Sequence, residues 1–153
     1  IMAKKIWGPA TWTLFHIIGE KIETNNYNDI QNALKIIQII CNNLPCPDCT
    51  RDAIATLSKY NLKKIVSKED LKLFLYMFHN IVNKKLNKPI IENEQLDEIY
   101  RNMNFNNVLN NFFYIYNNIH GYKNMMLYSF HRKNLIQQIK MYFIENLHLF
   151  NKL

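Results

Sequence analysis

Apolar residues recur three and four positions apart along most of the chain and almost never alternate singly, so the pattern is helical. Trp7, Leu14, Ile17, Ile18 and Ile22 share one face of a first helix, with Pro9 expected near its first turn. Ile30, Ala33, Leu34, Ile37, Ile40, Cys41 and Leu44 mark a second. A third is expected from the Cys46–Cys49 pair to about Tyr60, with Ala53 and Leu57 inward. The run Ser67-Lys68-Glu69-Asp70 reads as an N-cap and acidic first turn for a fourth helix over 69–87. Its inward residues are Leu71, Phe74, Leu75, Phe78, Ile81, Val82 and Leu86, and Pro89 ends it. A short helix around 93–103 follows.

These elements predict an all-α protein: a four-helix bundle plus a short fifth helix over residues 1–103, then a helical C-terminal extension over 104–153. The extension changes character, being rich in Asn and aromatics, with Gly121 as a break. So many aromatic rings favour burial over disorder. A last helix over about 132–150 carries Leu135, Ile139, Tyr142, Phe143 and Leu147 on one side. Its role is open between covering the bundle, extending a dimer and recruiting a partner.

With 153 residues and 48% hydrophobic content the chain can bury a real core. The net charge of +7 comes from scattered lysines rather than a basic tract, so no nucleic-acid interface is expected. No apolar run approaches the ~18 residues of a membrane span. The start, "IMAKKIWGPATW", lacks the apolar centre of a signal peptide, and Ile1 ahead of Met2 reads as an addition to the natural start. A cytoplasmic protein is therefore expected, where a CxxC serves catalysis or metal rather than structure.

Cys46 and Cys49 lie in "LPCPDCTR" at a predicted helix N-terminus. Zinc needs a second ligand pair, and Cys41 and the histidines at 16, 79, 120, 131 and 148 do not form one. A thioredoxin-like motif needs a βαβ context that is missing. Two unrelated helix-face cysteines stay open as a bland reading. A redox dithiol fits best, since the helix N-terminal field lowers a thiol pKa and Arg51 adds positive charge nearby. Such a pair exchanges electrons with other dithiols and then needs a sink, for which a flavin is the natural choice.

Three blocks bear on that sink: "WGPATWTLFH" at 7–16, "LPCPDC" at 44–49 and "HNIVNKKLNKP" at 79–89. In order and spacing they resemble the Erv/ALR family of FAD-linked sulfhydryl oxidases, over about residues 5–101. The resemblance implies a small helical bundle holding FAD. It implies that Cys49 lies beside the flavin and Cys46 exchanges with the incoming dithiol. It places Trp7, Gly8, Trp12 and His16 against the cofactor, with His79, Asn80, Val82 and Asn83 around the adenine and ribose. Lys85 and Lys88 match positions near the diphosphate, and Tyr100 an aromatic position near the adenine. No metal site is expected.

The chain also departs from that pattern. A structural disulfide common in the family would join positions held here by Tyr76 and Asn93, as in the disulfide-free versions of large DNA viruses. Cys41 alone cannot form a shuttle pair and is expected to be a buried core residue. The implied reaction turns two protein thiols and O₂ into a disulfide and hydrogen peroxide. Implied partners are a dithiol protein, thioredoxin-like or viral, and a second copy paired through the first helices. For a viral protein the location would be host cytoplasm or virion. Two other readings are a helical interaction module without turnover and a small zinc-binding adaptor.

Overall fold

The computed structural model describes the backbone of residues 4–119 and 125–153, and the side chains of 4–119 and 131–153. Ile1 and the Gly121 break lie outside the described residues. Among the described residues seven α-helices follow in order: α1 Lys4–Lys21, α2 Tyr27–Cys41, α3 Pro47–Leu57, α4 Lys68–Lys85, α5 Asn93–Arg101, α6 Phe105–Asn117 and α7 Met125–Asn146. The expected fold class holds. Extended pairing among the described residues is one antiparallel bridge between Ile22 and Phe150.

Local chemistry sets the helix ends. Asn26 caps α2 by accepting from the Asp29 amide at 3.2 Å, and Ser67 caps α4 through the Asp70 amide at 3.1 Å. Helix α4 stops before Pro89 is reached. Asn87 takes a left-handed conformation at φ 56°, while the Lys88 amide bonds the Asn83 carbonyl at 2.8 Å and the Asn87 amide that of Lys84 at 3.2 Å. Helix α1 differs from expectation too. It begins at Lys4, a full turn before Pro9, so the proline lies inside the helix and removes one of its amide donors. Helix α7 likewise begins and ends earlier than expected, its last residues giving way to a 3-10 turn at Leu147–Leu149.

Helices α4, α5 and α6 surround α1, and from Ala10 to Lys21 it has no exposed residue. Gly19 lets α4 come close, since a Cβ there would stand 3.2 Å from the Leu75 Cδ1. Lys72 of α4 adds a half-buried tie, with Nζ 2.9 Å from Glu20 and 3.0 Å from Asp97. Helix α6 lies along another side of α1, burying Phe105, Phe112 and Tyr116, and α7 packs against α6 and α2. One apolar cluster therefore runs from Leu14 and Ile18 through Phe112 to Phe143 and Phe150.

Candidate functional site

Pro47 begins α3 and Cys46 is its N-cap, with extended backbone and Sγ accepting the Cys49 amide at 3.2 Å. A disulfide joins Cys46 to Cys49, their Cα atoms 5.2 Å apart. When the bond opens, that amide and the helix N-terminal field favour a thiolate at Cys46. Arg51, expected to add positive charge nearby, is exposed and paired with Asp48.

Cys49 lies on the wall of a cavity of about 310 Å³ enclosed by α1, α3 and α4. From α1 come Trp7, Gly8, Thr11 and Trp12; from α4 come His79, Val82 and Asn83; Lys85, Leu86 and Lys88 follow, with Tyr100 from α5. The expected set thus converges, with two exceptions. His16 sits behind the wall, its Nε2 2.7 Å from Nδ1 of His79. Asn80 holds the loop after α4, donating to the Ile91 carbonyl at 2.8 Å and accepting the Ile91 amide at 3.0 Å. Its Oδ1 also accepts from Asn83 at 3.2 Å. Cys46 stays outside the cavity lining, half-buried at the mouth of α3.

Aromatic packing orders one end. Trp12 stacks on His79 with centroids 4.1 Å apart and planes 5° from parallel, and His16 stacks on Tyr100 at 5.0 Å. Burial holds both imidazoles neutral. His16 falls to about 3, by desolvation and then the His79 charge. His79 falls to about 4, by desolvation and then Lys88. At the other end Lys85 Nζ reaches the Thr56 hydroxyl at 3.2 Å, which anchors a cation between α4 and α3.

Residues that sequence reasoning missed complete the wall, notably Thr11, Asp52 and Thr56. Asp52 and Thr56 follow Cys49 by three and seven positions on α3, a helical-face signal that was available. Thr11 carried none, because its hydroxyl works through tertiary contacts. Cys41 is buried as expected, its thiol pushed up to about 12 by desolvation, so it stays protonated.

The walls carry flat aromatic rings, and Lys4, Lys85 and Lys88 join the lining. Alanine at Gly8 would clash with nothing in the protein, its Cβ meeting only the Lys4 Cγ at 3.8 Å. The volume lies at the small end of ~300–1,000 Å³ for small-molecule sites. This donor set fits a planar heteroaromatic ring system linked to a diphosphate. No group of His, Cys, Asp and Glu among the described residues could hold a metal ion, and no described helix is long and apolar enough to cross a membrane.

Comparison with known proteins bears on the same residues. An FAD-linked sulfhydryl oxidase of African swine fever virus, isolate Tick/Malawi/Lil 20-1/1983, is 31% identical over 103 residues, 67% of this chain and 86% of that protein. That of isolate Pig/Kenya/KEN-50/1950 is 33% identical over 95 residues, covering 61% and 79%. The FAD-linked sulfhydryl oxidase of Oryza sativa subsp. japonica is 30% identical over 90 residues, covering 58% of this chain and 46% of its own. No solved structure gives a significant match. The sequence profile of the Erv1 / Alr family matches residues 9–101, which hold both cysteines and every cavity wall residue from Pro9 to Tyr100, and the chain belongs to that family.

Proposed function

We propose that the protein is an FAD-dependent thiol oxidase that makes disulfides in dithiol proteins. The observation that carries this reading is the position of the Cys46–Cys49 disulfide. One sulfur belongs to the wall of an aromatic, lysine-lined cavity, and the other caps α3 outside it.

A substrate thiolate attacks Sγ of Cys46, the sulfur outside the cavity, and the electron pair of the Cys46–Cys49 bond leaves on Cys49. The second substrate thiol, as thiolate, attacks the substrate sulfur of the mixed disulfide and releases Cys46. The departing Cys46 thiolate is received by the Cys49 amide and the α3 N-terminus. Cys49 then holds its electron pair at the cavity wall, and once two electrons are withdrawn from the dithiol, Sγ of Cys46 bonds Sγ of Cys49 again and the starting disulfide is restored. When bound there, FAD supplies a two-electron acceptor that hands the pair to O₂ and yields hydrogen peroxide. Trp7, Trp12, Val82 and Tyr100 would hold its rings, and Lys85 and Lys88 its diphosphate. His79 stays neutral beside Trp12 and offers a ring nitrogen without an added charge. Asn83, buried and tied to Asn80, offers a fixed polar edge, while His16 and Asn80 support from behind.

In this reading residues 1–103 carry the chemistry and 104–153 complete the fold, and the protein works in host cytoplasm or virion. A homodimer through the first helices has little surface left to use. Helix α1 is covered beyond Pro9, and α2 exposes only Tyr27, Asn28, Asn32 and Lys35. We therefore propose a single chain as the working unit. Purified protein should show bound-flavin absorption and consume oxygen when given a dithiol. The Cys46→Ser and Cys49→Ser variants should keep the flavin and lose turnover by at least ~100-fold, on the scale of losing a nucleophile. A colourless protein, or a serine variant of parental activity, defeats the reading.

A further inference from the structure

Tyr116 belongs to α6, beyond the family-matched segment, yet its hydroxyl reaches the cavity wall. Its oxygen lies 2.6 Å from the Thr11 Oγ1 in a buried contact spanning 105 residues of sequence. Thr11 Oγ1 also lies 2.7 Å from the Trp7 carbonyl, which can only accept, so with its hydrogen placed there Thr11 accepts from Tyr116. A directional relay therefore runs from Tyr116 through Thr11 to the backbone of Trp7. Thr11 and Trp7 line the cavity, and Trp12 follows Thr11 directly.

The relay sits where α1 is weakest. Pro9 lies inside the helix and cannot donate to the Lys5 carbonyl, so the turn carrying Trp7 and Gly8 is joined to the rest by fewer bonds. A threonine hydroxyl bonded back one turn is a known cause of helix bending. Here it is itself held from outside. Phe112 stacks on the Tyr116 ring at 4.2 Å and both are buried, so packing aims the hydroxyl.

We propose that Tyr116 is a positioning residue for the cofactor cavity. Through Thr11 it fixes the α1 turn at Pro9 and with it the angle between the Trp7 and Trp12 walls. The extension is then part of the cofactor-holding unit rather than an added lid. This inference rests on the reading that FAD occupies the cavity.

The test uses full-length Tyr116→Phe, which keeps the ring and its stack and removes only the hydroxyl. FAD affinity is measured by titrating the apoprotein at a temperature where thermal melts show parent and variant fully folded. The visible spectrum of the bound flavin is recorded as a second readout. The expected result is about tenfold weaker FAD binding with a shifted flavin spectrum. Thr11→Val should match it, Thr11→Ser should retain parental affinity, and the double variant should lose no more than either single one. Parental affinity and spectrum in Tyr116→Phe, or additive losses in the double variant, overturn the proposal and leave the oxidase reading intact. A parent that takes up no FAD overturns both.

Discussion

His16 and His79 meet nitrogen to nitrogen at 2.7 Å, which needs one donor and one acceptor and so forbids two imidazolium rings. Both rings sit well below the usual 6.5, at about 3 and about 4. An unfolded chain takes up these protons as pH drops below about 6.5, while the folded chain resists until about 4 or lower. The pair's contribution is therefore complete above about pH 6.5 and is lost as pH falls through that window. The slope is at most ~1.4 kcal/mol per pH unit for each ring. Ring nitrogen NMR shifts should report both imidazoles neutral at about pH 5, and a cationic ring there contradicts the assignment. Gly8 makes the second prediction. Inside a helix, alanine for glycine stabilises by ~0.5–1 kcal/mol, and here the added Cβ has room against the protein. Gly8→Ala should melt no lower than the parent but bind FAD about tenfold less tightly, equivalent to ~1.4 kcal/mol. Unchanged affinity would place the ligand away from Gly8. Residue roles of this kind were half legible in sequence. The CxxC and its neighbouring blocks announced themselves, whereas Thr11 and Asn80 act through partners that periodicity does not reveal.

Among the elements, the C-terminal end of α4 shows how a continuous apolar face divides its duties. Leu71, Phe74, Leu75 and Phe78 are buried as the spacing requires. Val82 and Leu86 continue the same stripe but line the cavity, and Leu86 is 41% exposed. Periodicity identifies a face that avoids water; it does not say whether protein or ligand covers it. The loop that follows is pinned by Asn80, whose amide satisfies both backbone groups of Ile91. Asn80→Ala should cost ~1–3 kcal/mol through those orphaned groups and loosen Lys88. Amide exchange at Ile91 should quicken in the variant; undiminished protection would show that the loop holds itself. The helix starts at Ser67 and at the Cys46–Cys49 pair were readable because the capping partner lies within three residues.

For the whole molecule, the extension accounts for the quaternary prediction. Aromatic enrichment signalled that residues 104–153 would be buried, but the surface they cover could not be read from one helix at a time. They take one side of α1 and part of α2, leaving a thin polar stripe of Asn28, Asn32 and Lys35 outward on α2. Light scattering on the holoprotein should therefore give a mass near 18.4 kDa. A dimer that survives Asn32→Glu, which adds a negative charge, and Lys35→Glu, which reverses a positive one, would lie on a different face. A dimer abolished by them would restore pairing through the first helices.

The partnership of α1 with α6 also bears on synthesis. Thr11 leaves the ribosome 105 residues ahead of Tyr116. At ~5–20 residues per second, the first helix waits on the order of 5–20 s for its covering helix. During that delay Leu14, Ile17 and Ile18 can pack only against what has already emerged. The bundle cannot close one helix at a time from its amino end, so final closure is a late, non-local event of the kind that folds slowly. The nascent chain, more than the finished enzyme, is the form most exposed to aggregation.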